Sequence, residues 1–122
     1  MEINLEAADP HAIQGYSDQW IQINFVSYEK SLIVSATEII SCPTIKKIQE
    51  MDSSYLKLLL QSNPKIIIIG HEQTGCFPPI DIIKQLSKKS IGIECMSIGA
   101  ACRTYNVLLA EHRAVVAGFI RS

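Results

Sequence analysis

Ile66-Ile67-Ile68-Ile69-Gly70, near the middle of the chain, is the stretch whose reading decides the fold. Four β-branched side chains in a row favour an extended backbone. None of the four is polar, so the strand has no face that water can cover. A strand buried on both faces is a central, parallel strand with a layer packed on each side. Asn63-Pro64 precedes it and ends a helix over Tyr55–Gln61, because the residue before proline avoids helical angles. Ser53 or Ser54 is placed to cap that helix.

Toward the C-terminus a loop runs from Gly70 to Pro78. Pro79 then opens a helix to about Lys89, with Ile80, Ile83 and Leu86 on one side. A strand over Ile91–Met96, a loop over Ser97–Gly99, a helix from Ala100 to about Glu111 and a strand over Ala114–Ile120 complete the chain. This alternation implies parallel βαβ units with helices against the sheet. Toward the N-terminus, Ile45 and Ile48 suggest a helical turn. Trp20–Phe25 alternates apolar and polar residues, Ser31–Ala36 holds a second apolar run, and the short link between them predicts an antiparallel hairpin. Residues 1–12 read as loosely held. The expectation is one α/β domain over residues 1–122, with a mixed central sheet, parallel units in the C-terminal half and a β-hairpin in the N-terminal half.

Composition narrows the function. The formal charge is −1, and 48% of the 122 residues are hydrophobic against 19% charged. A nucleic-acid protein gathers a basic excess on one face. Here Lys46-Lys47 and Lys88-Lys89 sit beside apolar residues at helical spacing and read as solvated helix faces. Glu2, Glu6 and Asp9 stand where a secretory segment carries positive charge. No apolar run approaches the roughly 20 residues that a membrane helix needs. A cytoplasmic protein with reduced thiols is expected. Cys42 and Cys95 lie among apolar residues as small hydrophobes. Cys76, in a glycine-bearing loop, and Cys102, near a helix start, are the two thiols placed for a redox role.

Ligands of open α/β sheets settle beyond the carboxyl ends of the strands. The loops after Gly70 and Met96 leave two such ends. Arg103 and Asn106, three apart on the last helix, are positioned to grip one carboxylate or phosphate, the arginine with its planar fork and the asparagine with a donor and an acceptor. Gly70, His71 and Gly99 complete the candidate ligand site. No residue is identified as catalytic: His71 has no carboxylate partner fixed by the sequence. Gly70 and Gly75 have the glycine spacing of a phosphate loop, but Cys76-Phe77 replaces its Lys and Ser/Thr. Asp9, Asp18, Asp52 and Asp81 are scattered, so no metal or other cofactor is expected.

Gly92-Ile93-Glu94-Cys95-Met96, followed by Gly99-Ala100-Ala101-Cys102-Arg103-Thr104-Tyr105-Asn106-Val107-Leu108-Leu109-Ala110-Glu111, resembles a family of small bacterial and archaeal α/β domains. The mitochondrial relative of that family is the respiratory complex I assembly factor 3. The aliphatic strand ending at Gly70 and Phe77-Pro78 before a helix match as well. The resemblance implies three layers around a mixed sheet of about five strands. It also implies a non-enzymatic role with a respiratory-complex subunit or an assembly protein as partner. The family commonly has Gly-Thr-Gly after the strand and Asp-Thr before the helix glycine, where this chain has Gly70-His71-Glu72 and Ser97-Ile98. Two functions are therefore expected in order: a non-catalytic interaction or assembly factor, then a small-anion-binding domain or enzyme whose site lies between the 70–78 loop and the helix starting at Ala100.

Overall fold

A computed structural model describes residues 11–122. In chain order the elements are β1 (Ile13–Tyr16), β2 (Ile21–Ile23), β3 (Val26–Tyr28), β4 (Leu32–Ser35), β5 (Ile39–Ser41), α1 (Ser53–Leu60), β6 (Ile66–His71), α2 (Ile80–Lys88), β7 (Gly92–Ser97), α3 (Ile98–Ala110) and β8 (Val115–Ile120), with a 3₁₀ turn at Ile48–Glu50. The main sheet has the order β5-β4-β8-β6-β7. β6 runs parallel to β7 and β8, and β4 runs antiparallel to β8 and β5. The sheet is mixed, as expected, with its parallel part in the C-terminal half.

Alternation along each strand divides the core in two. Ile67, Ile69, Val116, Ile120 and Ile33 face α1 and α2, where they meet Tyr55, Leu59, Ile82 and Leu86. Ile68, Ala117, Phe119, Leu32 and Val34 face the other way, toward Ala101, Cys102 and Tyr105 of α3 and Ile13, Ile21 and Ile23 of the small sheet. The three layers follow from β6 being apolar on both faces. Fully burying one such aliphatic side chain is worth roughly 1.5–3 kcal/mol.

Local chemistry shifts several boundaries. Asp52, not Ser53 or Ser54, caps α1, its Oδ1 accepting from the Tyr55 N–H at 2.9 Å. Ser97 caps α3 from the last residue of β7, so the expected loop over Ser97–Gly99 is absent and the helix follows the strand directly. On α2 the buried side chains are Ile82 and Leu86, while Ile80 is exposed.

The N-terminal half is antiparallel and hairpin-like, as expected, but its strands pair differently: β1 with β2, β2 with β3, and β4 with β5. Trp20–Phe25 is not one strand. The chain reverses at Asn24 and Phe25, with φ of 52° and 65°, and β2 pairs with β3 across that turn. Positive φ at both central residues is the geometry of a tight two-residue hairpin turn. β4 pairs instead with β5 and β8, and residues 29–31 carry the chain from the small β1-β2-β3 sheet to the main one. Of the residues expected to be loosely held, 1–10 lie outside the described residues. His11 is tied down: its Nδ1 lies 3.0 Å from the Ser35 carbonyl and its own carbonyl accepts from the Tyr105 hydroxyl at 3.1 Å.

The small sheet is fastened to α3 by one side chain. Asn106 Oδ1 accepts from the Ile13 N–H, and Asn106 Nδ2 donates to the Ile13 carbonyl, each at 2.8 Å. Ile13 is buried, so water is a poor substitute partner. Asn106→Ala is expected to lower stability by about 2 kcal/mol or more, because each orphaned buried group costs roughly 1–3 kcal/mol. Urea denaturation checks this, and a loss under about 0.5 kcal/mol would show that the clamp is not structural.

Candidate functional site

The in-register parallel pairing sets His71 beside both Ser97 and Ile120, so β6, β7 and β8 end at one edge. A cleft of about 440 Å³ opens there. Glu72 enters it from the end of β6, Ser97 and Gly99 from the β7–α3 junction, Arg121 from the end of β8, and Asp18 from the turn after β1. This is the place where α/β sheets hold ligands.

Arg121 is the unusual residue. It is only 4% exposed. Its backbone N–H donates to Ser31 Oγ at 2.9 Å, and its Nη2 donates to the Asp18 carbonyl. Its Nη1 is buried with no hydrogen-bond partner among the described residues. Among the described residues it is also in no ion pair; Arg113 with Glu111, at 3.9 Å on the surface, is one that does form. A buried cation without a counter-charge is unfavourable by several kcal/mol.

The other groups at the cleft are set up by their surroundings. Ser97 Oγ accepts from the Ala100 N–H at 3.3 Å, leaving further first-turn N–H groups of α3 without intrahelical partners beside the cleft. His71 is buried, and burial pulls its pKa below the usual 6.5, so it is neutral at pH 7. Its Nδ1 accepts from the Gln73 N–H at 3.1 Å, which places the ring proton on Nε2. Glu72 Oε1 accepts from the Ser122 N–H at 3.2 Å, which ties the end of β6 to the residue after Arg121.

The residues predicted from sequence are only partly brought together. His71 and Gly99 line the cleft. Gly70 lies behind it: a Cβ there would come within 2.7 Å of the Ala101 Cβ, so glycine lets α3 close onto β6. Arg103 stands at the rim, donating from Nη1 to the Tyr16 hydroxyl with its guanidinium carbon 6.0 Å from the ring centroid. Asn106 is a turn further along α3 with its amide held by Ile13. The two side chains therefore hold opposite ends of β1 rather than converging on one point. Arg121 and Asp18 were not anticipated. Arg121 had a signal, since it directly follows the last strand of the parallel set. Asp18 had none, because only the fold brings the first hairpin to this edge.

Among the described residues no three His, Cys, Asp or Glu side chains are grouped to hold a metal ion, and no helix is long and apolar enough to cross a membrane. Residues 13–120 match the family model described as a protein of unknown function, DUF498/DUF598. A protein of Francisella tularensis called "13 kDa major membrane protein" is 38% identical over 94 residues, 76% of each chain. A Xanthomonas campestris protein solved by NMR superposes with a TM-score of 0.80 at 27% identity, covering 98% of this chain and 92% of that one. A Bordetella pertussis protein described as a Mth938-like domain superposes with a TM-score of 0.79 at 19% identity, over 98% and 89% of the two chains, and shows the shared fold.

The thiols near this edge differ sharply. Cys102 is 1% exposed, and burial, opposed by the charges of Arg121 and Arg103, pushes its pKa up to about 12. That removes it from the two thiols expected to suit redox chemistry. Burial and the Glu94 charge push Cys95 to about 11. Cys76 is half-buried and shares a neighbouring cleft with Cys95 and His71. Since the thiolate is the reactive form, iodoacetamide at pH 7.5 is expected to modify Cys76 well before Cys102 in the folded protein. Peptide mass spectrometry reads the order, and early modification of Cys102 would contradict its burial.

Proposed function

Given that the chain belongs to the DUF498/DUF598 family of proteins of unknown function, we propose that it is a non-catalytic binding domain that holds a small anionic group, of carboxylate or phosphate chemistry, in the cleft at the ends of β6, β7 and β8. The observation that carries this reading is Arg121, a buried guanidinium that among the described residues has one nitrogen unpartnered and no carboxylate paired to it. An anion in the cleft supplies the missing counter-charge. The first turn of α3 adds N–H groups and the positive end of a helix dipole. His71 adds an Nε2–H donor without a competing charge. Of the residues first proposed from sequence, His71 and Gly99 contribute directly, Arg103 shapes the rim through Tyr16, and Gly70 and Asn106 hold the frame.

A second reading is the assembly role that the resemblance to complex I assembly factor 3 implies. Phe77 and Ile80, 73% and 62% exposed at the start of α2, favour it as an apolar contact for a protein partner. In both readings the protein acts as one domain in the cytoplasm. A membrane association like the one named for the Francisella relative then runs through a partner.

Sodium acetate and sodium phosphate, added at constant ionic strength, are expected to raise the melting temperature of the wild type. Arg121→Met, which keeps length and removes the charge, is expected to fold by circular dichroism and to lose that rise. A rise retained by Arg121→Met, or absent in the wild type for both salts, would overturn the anion reading. For the second reading, a Phe77→Ser/Ile80→Ser variant is expected to lose a respiratory-complex subunit or assembly protein that the tagged wild type recovers from its own cells. Recovery undiminished by the change would sink it.

A further inference from the structure

The cleft lined by Arg121, whose Nη1 has no partner among the described residues, is also lined by carboxylates. Arg121 grips the backbone carbonyl of Asp18 through Nη2, and Asp18 lines the same cleft. Glu72, two residues past Gly70, lines it from the β6 side and uses only Oε1 to hold the last residue of the chain. Both acidic residues are exposed, whereas Arg121 is buried. The charges are thus layered, with a cation in the floor and two anions at the mouth. His71 does not change this balance, being neutral.

Such layering selects among anions. A phosphate dianion meets the guanidinium only after passing two carboxylates, and like charges at short range repel. A simple carboxylic acid satisfies the floor and leaves both mouth carboxylates without partners. A small molecule with a carboxylate at one end and an ammonium at the other satisfies both layers. The walls between them, Ile98, Tyr16 and Thr74, offer apolar surface and a hydroxyl to a short side chain. A space of about 440 Å³ lies within the range of small-molecule pockets and admits such a zwitterion.

We propose that the ligand of this cleft is a small zwitterion of the α-amino-acid class, its carboxylate on Arg121 and the first turn of α3, its ammonium between Asp18 and Glu72. This rests on the anion reading above and adds the ammonium subsite to it. The subsite is a specificity device. It discriminates against acids without an amine, because they leave the two mouth carboxylates unpartnered.

The test compares L-alanine, propionate and ethylamine at pH 7 and constant ionic strength, by calorimetry and by amide shifts of the labelled full chain. Alanine is expected to bind about tenfold or more tightly than propionate, the worth of one hydrogen bond to a charged group. Glu72→Gln and Asp18→Asn, both at exposed positions, are expected to close the gap between the two acids, weakening alanine and tightening propionate as the like charges at the mouth are removed. Arg121→Met is expected to abolish both. Propionate binding as tightly as alanine, with no effect of Glu72→Gln or Asp18→Asn, would overturn the zwitterion proposal and leave the anion site standing. Binding of neither acid would overturn both.

Discussion

The structure depends on one constraint: β6 has nothing to offer water on either face. A strand of that kind is stable only inside a sheet with a layer on each side. α1 and α2 cover one side, and α3 with the small β1-β2-β3 sheet covers the other. Parallel neighbours are reached through crossover helices, so β6, β7 and β8 point the same way and end together. The place of the cleft is a consequence of how that strand must be buried.

Close packing then builds the walls. Without a Cβ at Gly70, Ala101 seats against β6 and the first turn of α3 reaches the sheet edge. From there α3 holds β1 at both ends, Asn106 on Ile13 and Arg103 on Tyr16. That grip carries the turn containing Asp18 over the end of β8, where Arg121 holds it by its carbonyl. The polar residues of α3 that look like a ligand grip in one dimension serve to fasten the first hairpin. The buried charge at the cleft comes from a different element, the end of β8.

The buried guanidinium is best understood as an incomplete arrangement. Hydrogen bonds to Ser31 and Asp18 fix the residue, but neither brings a negative charge. Protein interiors rarely tolerate such a group without compensation. Two exposed acidic residues, Asp18 and Glu72, line the same cleft. A buried cation is thus separated from exposed anions across one cleft.

Sequence alone determined the layered α/β class and the parallel C-terminal half, whose strands end together at one sheet edge. Each rests on side-chain periodicity or on the absence of polarity, which act over a few residues and need no knowledge of distant contacts. Tertiary structure alone decided strand partners and site membership. The hairpin at Asn24-Phe25 lacked the glycine that usually announces such a turn, so Trp20–Phe25 read as one strand. Arg103 and Asn106 share a helix face by arithmetic, yet β1 packs against that face and takes both. Asp18 and Arg121 are 103 positions apart and meet only because β8 ends beneath the first hairpin. Periodicity reports which face of an element is buried, but which distant segment covers it is decided by packing.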